Sequence, residues 1–139
     1  TSFQYSGLKL EAYEHGKPLR GEVTVTNVGN YDGAEIVEVY IQNHVAKNAA
    51  DSRNASVCGL IGDQPRYSLC SMRRVFLKAG ESSKVEFEIL PRSFETVLED
   101  GTRTVLFGSY SIYAGGSQPD NRSFELTGKQ PLCAEIQID

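Results

Sequence analysis

The chain has 139 residues and a mass of 15.3 kDa, is 40% hydrophobic, and sets 14 Lys and Arg against 18 Asp and Glu for a formal net charge of −4. At about 100–200 residues per domain this length predicts a single domain, residues 1–139, with enough apolar material for its own core. The acidic balance opposes the counterion release on which nucleic-acid binding depends, and no apolar run approaches the roughly 20 residues of a membrane helix, so neither nucleic acid nor membrane is an expected partner.

Residues 3–12 open on a split phase. Phe3 and Tyr5 share one parity and Leu8, Leu10 and Ala12 the other, which predicts a strand with a bulge near Gly7 that turns both sets inward. Alternation then predicts strands over residues 22–28, with Val23 and Val25 inward, and over 35–42, with Val37, Val39 and Ile41 inward. Gly29-Asn30-Tyr31-Asp32-Gly33 supplies the turn between them. Residues 43–64 are polar, contain Gly59 and Gly62, and read as an extended loop of the kind that is functional, contacts a partner or is disordered. Over residues 73–78, Val75 and Leu77 fall on one parity and Met72 and Phe76 on the other, so both faces of that strand want cover.

The clearest strand is 84–89, where Val85, Phe87 and Ile89 alternate with Lys84, Glu86 and Glu88 after the Ala79-Gly80 turn. Residues 91–98 are expected to hold one helical turn, with Pro91 in its first position and Ser93 competing as cap. Asp100-Gly101 marks a hairpin. Strands follow over 109–114, with Tyr110, Ile112 and Ala114 inward, and over 132–138, with Leu132, Ala134, Ile136 and Ile138 inward. Short strands with recurrent turns and no sustained helical period predict an all-β, immunoglobulin-like antiparallel sandwich of about seven strands with one long loop.

Chemistry-bearing residues are sparse. His15 and His44 read as solvated loop histidines, and neither adjoins a Gly-x-Ser-x-Gly nucleophile signature. Two lone histidines and three scattered cysteines, Cys58, Cys70 and Cys133, offer no short-spaced ligand pair, so neither a metal nor another cofactor is expected. An odd number of cysteines at ordinary spacing fits free thiols and a reducing, cytoplasmic setting, the alternative being one bridge plus a free thiol in a secreted parent whose signal has been removed. The sequons at Asn54 and Asn121 matter only in a eukaryotic secretory context. Glycoside hydrolysis needs two carboxyls about 5–10 Å apart with one held in an apolar pocket. Glu86 and Glu88 share a face, but it is the solvated one, and Asp100 is engaged in a turn, so no catalytic residue is assigned.

Four motifs in order nevertheless resemble one family. They are Thr1-Ser-Phe-Gln-Tyr-Ser-Gly-Leu8; Val25-Thr-Asn-Val-Gly-Asn30 followed by Gly33-Ala-Glu-Ile-Val-Glu-Val-Tyr-Ile41; the stretch from Pro65 through Leu77-Lys-Ala-Gly-Glu81 to Val85-Glu-Phe87; and Gly108-Ser-Tyr-Ser-Ile-Tyr-Ala-Gly-Gly-Ser117. Together they are similar to the fibronectin type III-like C-terminal domain of glycoside hydrolase family 3 enzymes, β-glucosidases and β-xylosidases among them. One departure is Ser71-Met72, where the family usually shows Gly-Phe, and a flexible Met there fills an aromatic's place more loosely.

The resemblance implies a non-catalytic accessory domain of a retaining β-glycosidase acting on plant-type oligosaccharides, because no position here matches the carboxylates of the upstream catalytic domains. The expected partners are those domains, with a second subunit as the other candidate. Arg53, Arg66, Tyr67 and Met72, in and beside the long loop, are the expected contact residues, Arg and Tyr being the types enriched in buried hot spots. Two rival readings are a carbohydrate-binding module, which would stack sugars on Tyr31 or Tyr67 without the help of any Trp, and an independent immunoglobulin-like adhesion or scaffold module. Thr1 in place of an initiator Met leads to the expectation of a mature product or a piece of a longer chain.

Overall fold

The computed structural model describes residues 2–44, 52–54, 56, 57, 60, 67–116 and 131–139. Among these residues nine strands run in the order β1 (Phe3–Leu10), β2 (Leu19–Asn27), β3 (Gly33–Asn43), β4 (Ser68–Leu77), β5 (Ser82–Ile89), β6 (Glu95–Val97), β7 (Arg103–Val105), β8 (Gly108–Gly115) and β9 (Leu132–Ile138). Seven of them build two antiparallel sheets, ordered β1-β2-β5 and β4-β3-β8-β9, and β6-β7 is a separate hairpin. The sheets stack face to face, with β5 beside β4 at one edge and β1 beside β9 at the other. This is the all-β immunoglobulin-like sandwich that the alternation predicts.

Period-2 alternation explains the core. Val23 and Val25 of β2 and Val85, Phe87 and Ile89 of β5 meet Val37, Val39 and Ile41 of β3 and Tyr110, Ile112 and Ala114 of β8, all of them buried. Each fully buried Val, Ile or Phe contributes about 1.5–3 kcal/mol relative to exposure, so one residue's slip along β2 or β5 would reverse the gain. In β1 the register skips between Ser6 and Lys9 at Gly7, whose φ is +62°, a left-handed value that side-chain-bearing residues rarely adopt. The bulge lets Phe3 and Tyr5 on one side of it and Leu8 and Leu10 on the other all pack on the core, while Ala12 lies exposed beyond the strand.

Strand β2 begins at Leu19, three residues before the predicted start. Gly21 breaks the apolar alternation because its slot is already full. A Cβ there would lie 2.6 Å from Phe87 Cζ and 2.8 Å from Leu10 Cδ2. The turn chemistry is equally specific. Asn27, fully buried, donates from Nδ2 to the carbonyls of Tyr31 (2.8 Å) and Leu77 (3.1 Å) and accepts from Gly29 N–H, tying the β2–β3 turn to the end of β4. Tyr110 donates its hydroxyl to Leu106 O at 2.7 Å, a tyrosine corner at the start of β8.

Two expectations need correction. Pro91 does start a 3-10 turn, Pro91–Phe94, but the residue before it is Leu90 with no side-chain cap, and Ser93 lies inside the turn. Burial of Phe94 against the edges of Tyr13 and Tyr110 holds the turn in place of a cap. The long loop over residues 43–64 reads from its sequence as functional, partner-contacting or disordered. Its described part instead docks: Val57 and Leu60 pack on Leu98 and Leu106, Leu60 O accepts from Glu99 N–H at 2.8 Å, and Asn54 is buried against Phe107. The loop thus has a small apolar cluster of its own at the β6–β7 end.

Candidate functional site

Glu86 and Glu88 stand exposed on the outer face of the three-stranded sheet, across from Glu22 and Arg20. They border a groove of about 550 Å³ in which Lys9, Arg20 and Arg73 are interspersed with Glu22, Glu86 and Glu88, and Arg20 Nε lies 3.8 Å from Glu88 Oε1. Mixed charge in open water offers no carboxyl the apolar pocket that a general acid requires. Among the described residues no group of three or more His, Cys, Asp and Glu is placed to hold a metal ion, and no helix is long and apolar enough to cross a membrane.

The histidines differ from their predicted environment in one respect. His15 is exposed, with Tyr13 Oη 3.4 Å from its Nδ1. His44, though exposed, has Nε2 only 2.6 Å from Ser111 Oγ, a pairing that the sequence separation of 67 residues conceals. A Ser–His pair is the core of nucleophilic catalysis, yet this one lacks its surroundings. Ser111 is 2% exposed and sits in mid-strand between Gln42 of β3 and Glu135 of β9, so its main chain is committed to the ladders and supplies no oxyanion donors. The pair fastens the end of β3 to β8.

The two outer faces of the sandwich contrast strongly. On the three-stranded sheet the rows read Gln4-Thr26-Ser82, Ser6-Thr24-Lys84 and Lys9-Glu22-Glu86, which is a solvated surface. On the four-stranded sheet the pairs are Ala34-Phe76, Ile36-Arg74, Glu38-Met72 and Tyr40-Leu69, with Tyr113 beside Tyr40 and Cys133 beyond it. Phe76 (63% exposed), Met72 (52%), Leu69 (48%) and Ile36 (45%) lie bare there. The β3–β4 register skips one residue between Val39 and Tyr40, leaving Cys70 out of the pairing, and this bulge brings Leu69 onto the outer face with Met72 and Phe76. Cys70, turned toward the interior, donates to Val39 O at 3.3 Å, and burial pushes its thiol pKa up to about 12.

At the lower end this face closes on itself. Tyr67 meets Tyr113 edge to face with centroids 5.6 Å apart, and Tyr113 donates to Gln42 Oε1 at 2.8 Å. Burial, with Cys133 nearby, raises the Tyr113 phenol above its ordinary range.

Of the four predicted contact residues, Met72 and Tyr67 come to this face, Met72 open and Tyr67 half-buried. Arg53 does not. Its guanidinium lies 4.8 Å from the Phe107 ring and 3.5 Å from Asp139 Oδ1, so it is used within the sandwich, at the end where β8 begins. Arg66 lies outside the described residues. Phe76, which shares Met72's parity in the sequence, lies on this face as well, whereas Leu69 and Ile36 were missed, because only the bulge and the strand pairing bring them there. Tyr31, 74% exposed, sits in the β2–β3 turn, whereas Tyr67 precedes the far end of β4, so the two do not form one sugar-stacking platform.

The fold fits the comparisons with known proteins. The chain belongs to the fibronectin type III-like domain family, whose model matches residues 35–118, more than half its length. It is 31% identical over 81% of its length to a protein of Formosa agariphila named as a β-xylosidase, and 28% identical over 91% to a xylan 1,4-β-xylosidase of Xylanibacter ruminicola. It spans only 14% and 13% of those proteins. Among solved structures, the GH3 β-glucosidase of Bifidobacterium adolescentis matches 99% of the chain with 17% of its own, at a TM-score of 0.74 and 26% identity. These matches bear out the family resemblance read from the motifs.

Proposed function

We propose that this chain is a non-catalytic accessory domain of a larger β-glycosidase, a β-glucosidase or β-xylosidase of plant-type oligosaccharide breakdown, and that it stabilises the catalytic part or its assembly. The observation that carries the reading is one of proportion: nearly the whole chain corresponds to about a sixth of a GH3 β-glucosidase, 99% against 17%. The described carboxylates add to it, since Glu86 and Glu88 stand in water beside Arg20 and Lys9 rather than in a pocket that would tune one of them as an acid. A folded sandwich docked on a catalytic body stabilises it by linkage, because docking favours the native state alone.

The test is deletion of residues 1–139 from the native polypeptide. The expected result is a shorter half-life of activity at elevated temperature, with glycosidase chemistry retained by the molecules still folded. An unchanged half-life together with an unchanged oligomeric state would refute the stabilising role.

A further inference from the structure

We infer that the bare outer face of the four-stranded sheet, centred on Met72 and Phe76, is the seat on which the covalently linked catalytic part of the same polypeptide docks. The inference rests on the accessory reading above and adds the surface and the kind of partner. Four large apolar side chains, Ile36, Leu69, Met72 and Phe76, are each about half exposed or more on two neighbouring strands, while the opposite outer face has alternating charges and hydroxyls. A single exposed Leu is ordinary, but four large apolar side chains gathered on one face, interrupted by Arg74 and Glu38, mark a contact surface.

The size of the patch identifies the occupant. From Leu69 to Phe76 the strand advances ~23 Å at about 3.3 Å per residue, and two to three strands at about 4.8 Å spacing make its width ~10–15 Å, which is on the order of 300 Å². Interfaces between domains of one chain start near 600 Å² in total, or about 300 Å² on each side. Separate proteins in stable complexes bury about 800 Å² each. The patch therefore suits a partner held by a tether, whose effective concentration reaches the millimolar range, and is small for a free protein or a second copy. The matched relatives, of which this chain spans 14% and 13%, have ample length for such a partner.

The patch also states what the partner surface must offer. Met and aromatic side chains adapt to an apolar counterface. Arg74, exposed opposite Ile36 in the middle of the patch, has no ion pair among the described residues, so the counterface carries a carboxylate or carbonyl acceptor for it. Tyr40, whose hydroxyl bonds Glu38 Oε2 at 3.0 Å, bounds the patch on β3.

Thiol accessibility in the native polypeptide tests the proposal. With the native cysteines replaced by Ser, Met72→Cys and Phe76→Cys are each compared with Lys84→Cys on the opposite outer face, using a maleimide, alongside the mass and concentration dependence of the unlabelled protein. The expected result is a polypeptide several times larger than this chain in which Met72→Cys and Phe76→Cys react at least tenfold more slowly than Lys84→Cys at every concentration. A large polypeptide in which all three react alike overturns the docking face and leaves the accessory role standing. Protection that disappears on dilution assigns the face to a second copy and overturns the tethered partner. A native polypeptide no longer than this chain overturns the accessory role and the proposal together.

Discussion

The side-chain amide of Asn54 faces the main chain of Phe107 as a neighbouring strand would, donating from Nδ2 to the carbonyl and accepting from the N–H at Oδ1, each at 2.9 Å. Asn54 is 2% exposed and Phe107 half-buried, so both bonds are partly shielded from water. Truncation leaves two partly buried main-chain groups without their partner, and Asn54→Ala should therefore lower stability by about 1–3 kcal/mol. Urea denaturation measures the loss, and hydrogen exchange should show the Phe107 amide opening first. The same burial bears on the sequon at Asn54-Ala55-Ser56: expressed through a eukaryotic secretory route, the folded chain should carry no glycan at Asn54, as peptide mass would show.

Gly21 and Phe87 form a second exclusive pair. A methyl group at Gly21 has nowhere to go while the Phe87 ring lies over it at 2.6 Å, so Gly21→Ala should cost about 1–3 kcal/mol by overpacking. Phe87→Leu in the same chain should recover part of that loss, and a double-mutant cycle reads the coupling. Phe87→Ala alone should cost about 3–5 kcal/mol, whereas Glu86→Ala on the solvated side should stay within about 0.5 kcal/mol. Equal effects at positions 86 and 87 would contradict the strand phase.

Alkaline pH should unfold the protein for an identifiable reason. Burial raises the pKa of Cys70 to about 12 and, helped by the Glu35 carboxylate, lifts Tyr5 well above its ordinary 10.0; burial also raises Tyr110. These acids keep their protons in the folded state and release them in the unfolded chain, from 9.0 upward for the thiol and 10.0 upward for the phenols. The unfolded state thus binds fewer protons, and stability falls as pH rises through this window, by at most about 1.4 kcal/mol per pH unit for each group. Denaturation midpoints from pH 8 to 11 should decline, less steeply for Cys70→Ser and for Tyr110→Phe. A flat profile would contradict the burial of these groups.

The two described thiols should also part company toward alkylating reagents. Cys133 is exposed and Cys70 partly buried with its sulfur on Val39 O, so native iodoacetamide labelling should modify Cys133 first and Cys70 only slowly. Peptide mapping after a short exposure distinguishes them.

Most of the sandwich was legible because its inward residues alternate without interruption: Val85, Phe87 and Ile89 in β5, and Val37, Val39 and Ile41 in β3, fixed both strands and their faces. What escaped depends on contacts remote in sequence. The start of β2 was hidden by a glycine whose space Phe87 fills, and the docking of Asn54 on Phe107 joins residues 53 positions apart. Asn27 read as part of a motif, but only the fold shows its amide joining Tyr31 to Leu77. Residue type by itself did not show which face a side chain reaches. Arg53, chosen as an interface residue, is held by Phe107 and Asp139, whereas Leu69 reaches the outer face through a bulge that no periodicity announces.

Hydrolysis of aryl β-glucosides and β-xylosides shows whether the chemistry lies outside this chain. The native polypeptide and the 139-residue chain are assayed side by side at equal molar concentration. Turnover is expected from the native polypeptide and none from the chain, since glycoside hydrolysis needs two carboxyls with different environments and Glu86 and Glu88 share one solvated face. Turnover by the purified chain that is abolished by replacing one of its own acidic residues would contradict it.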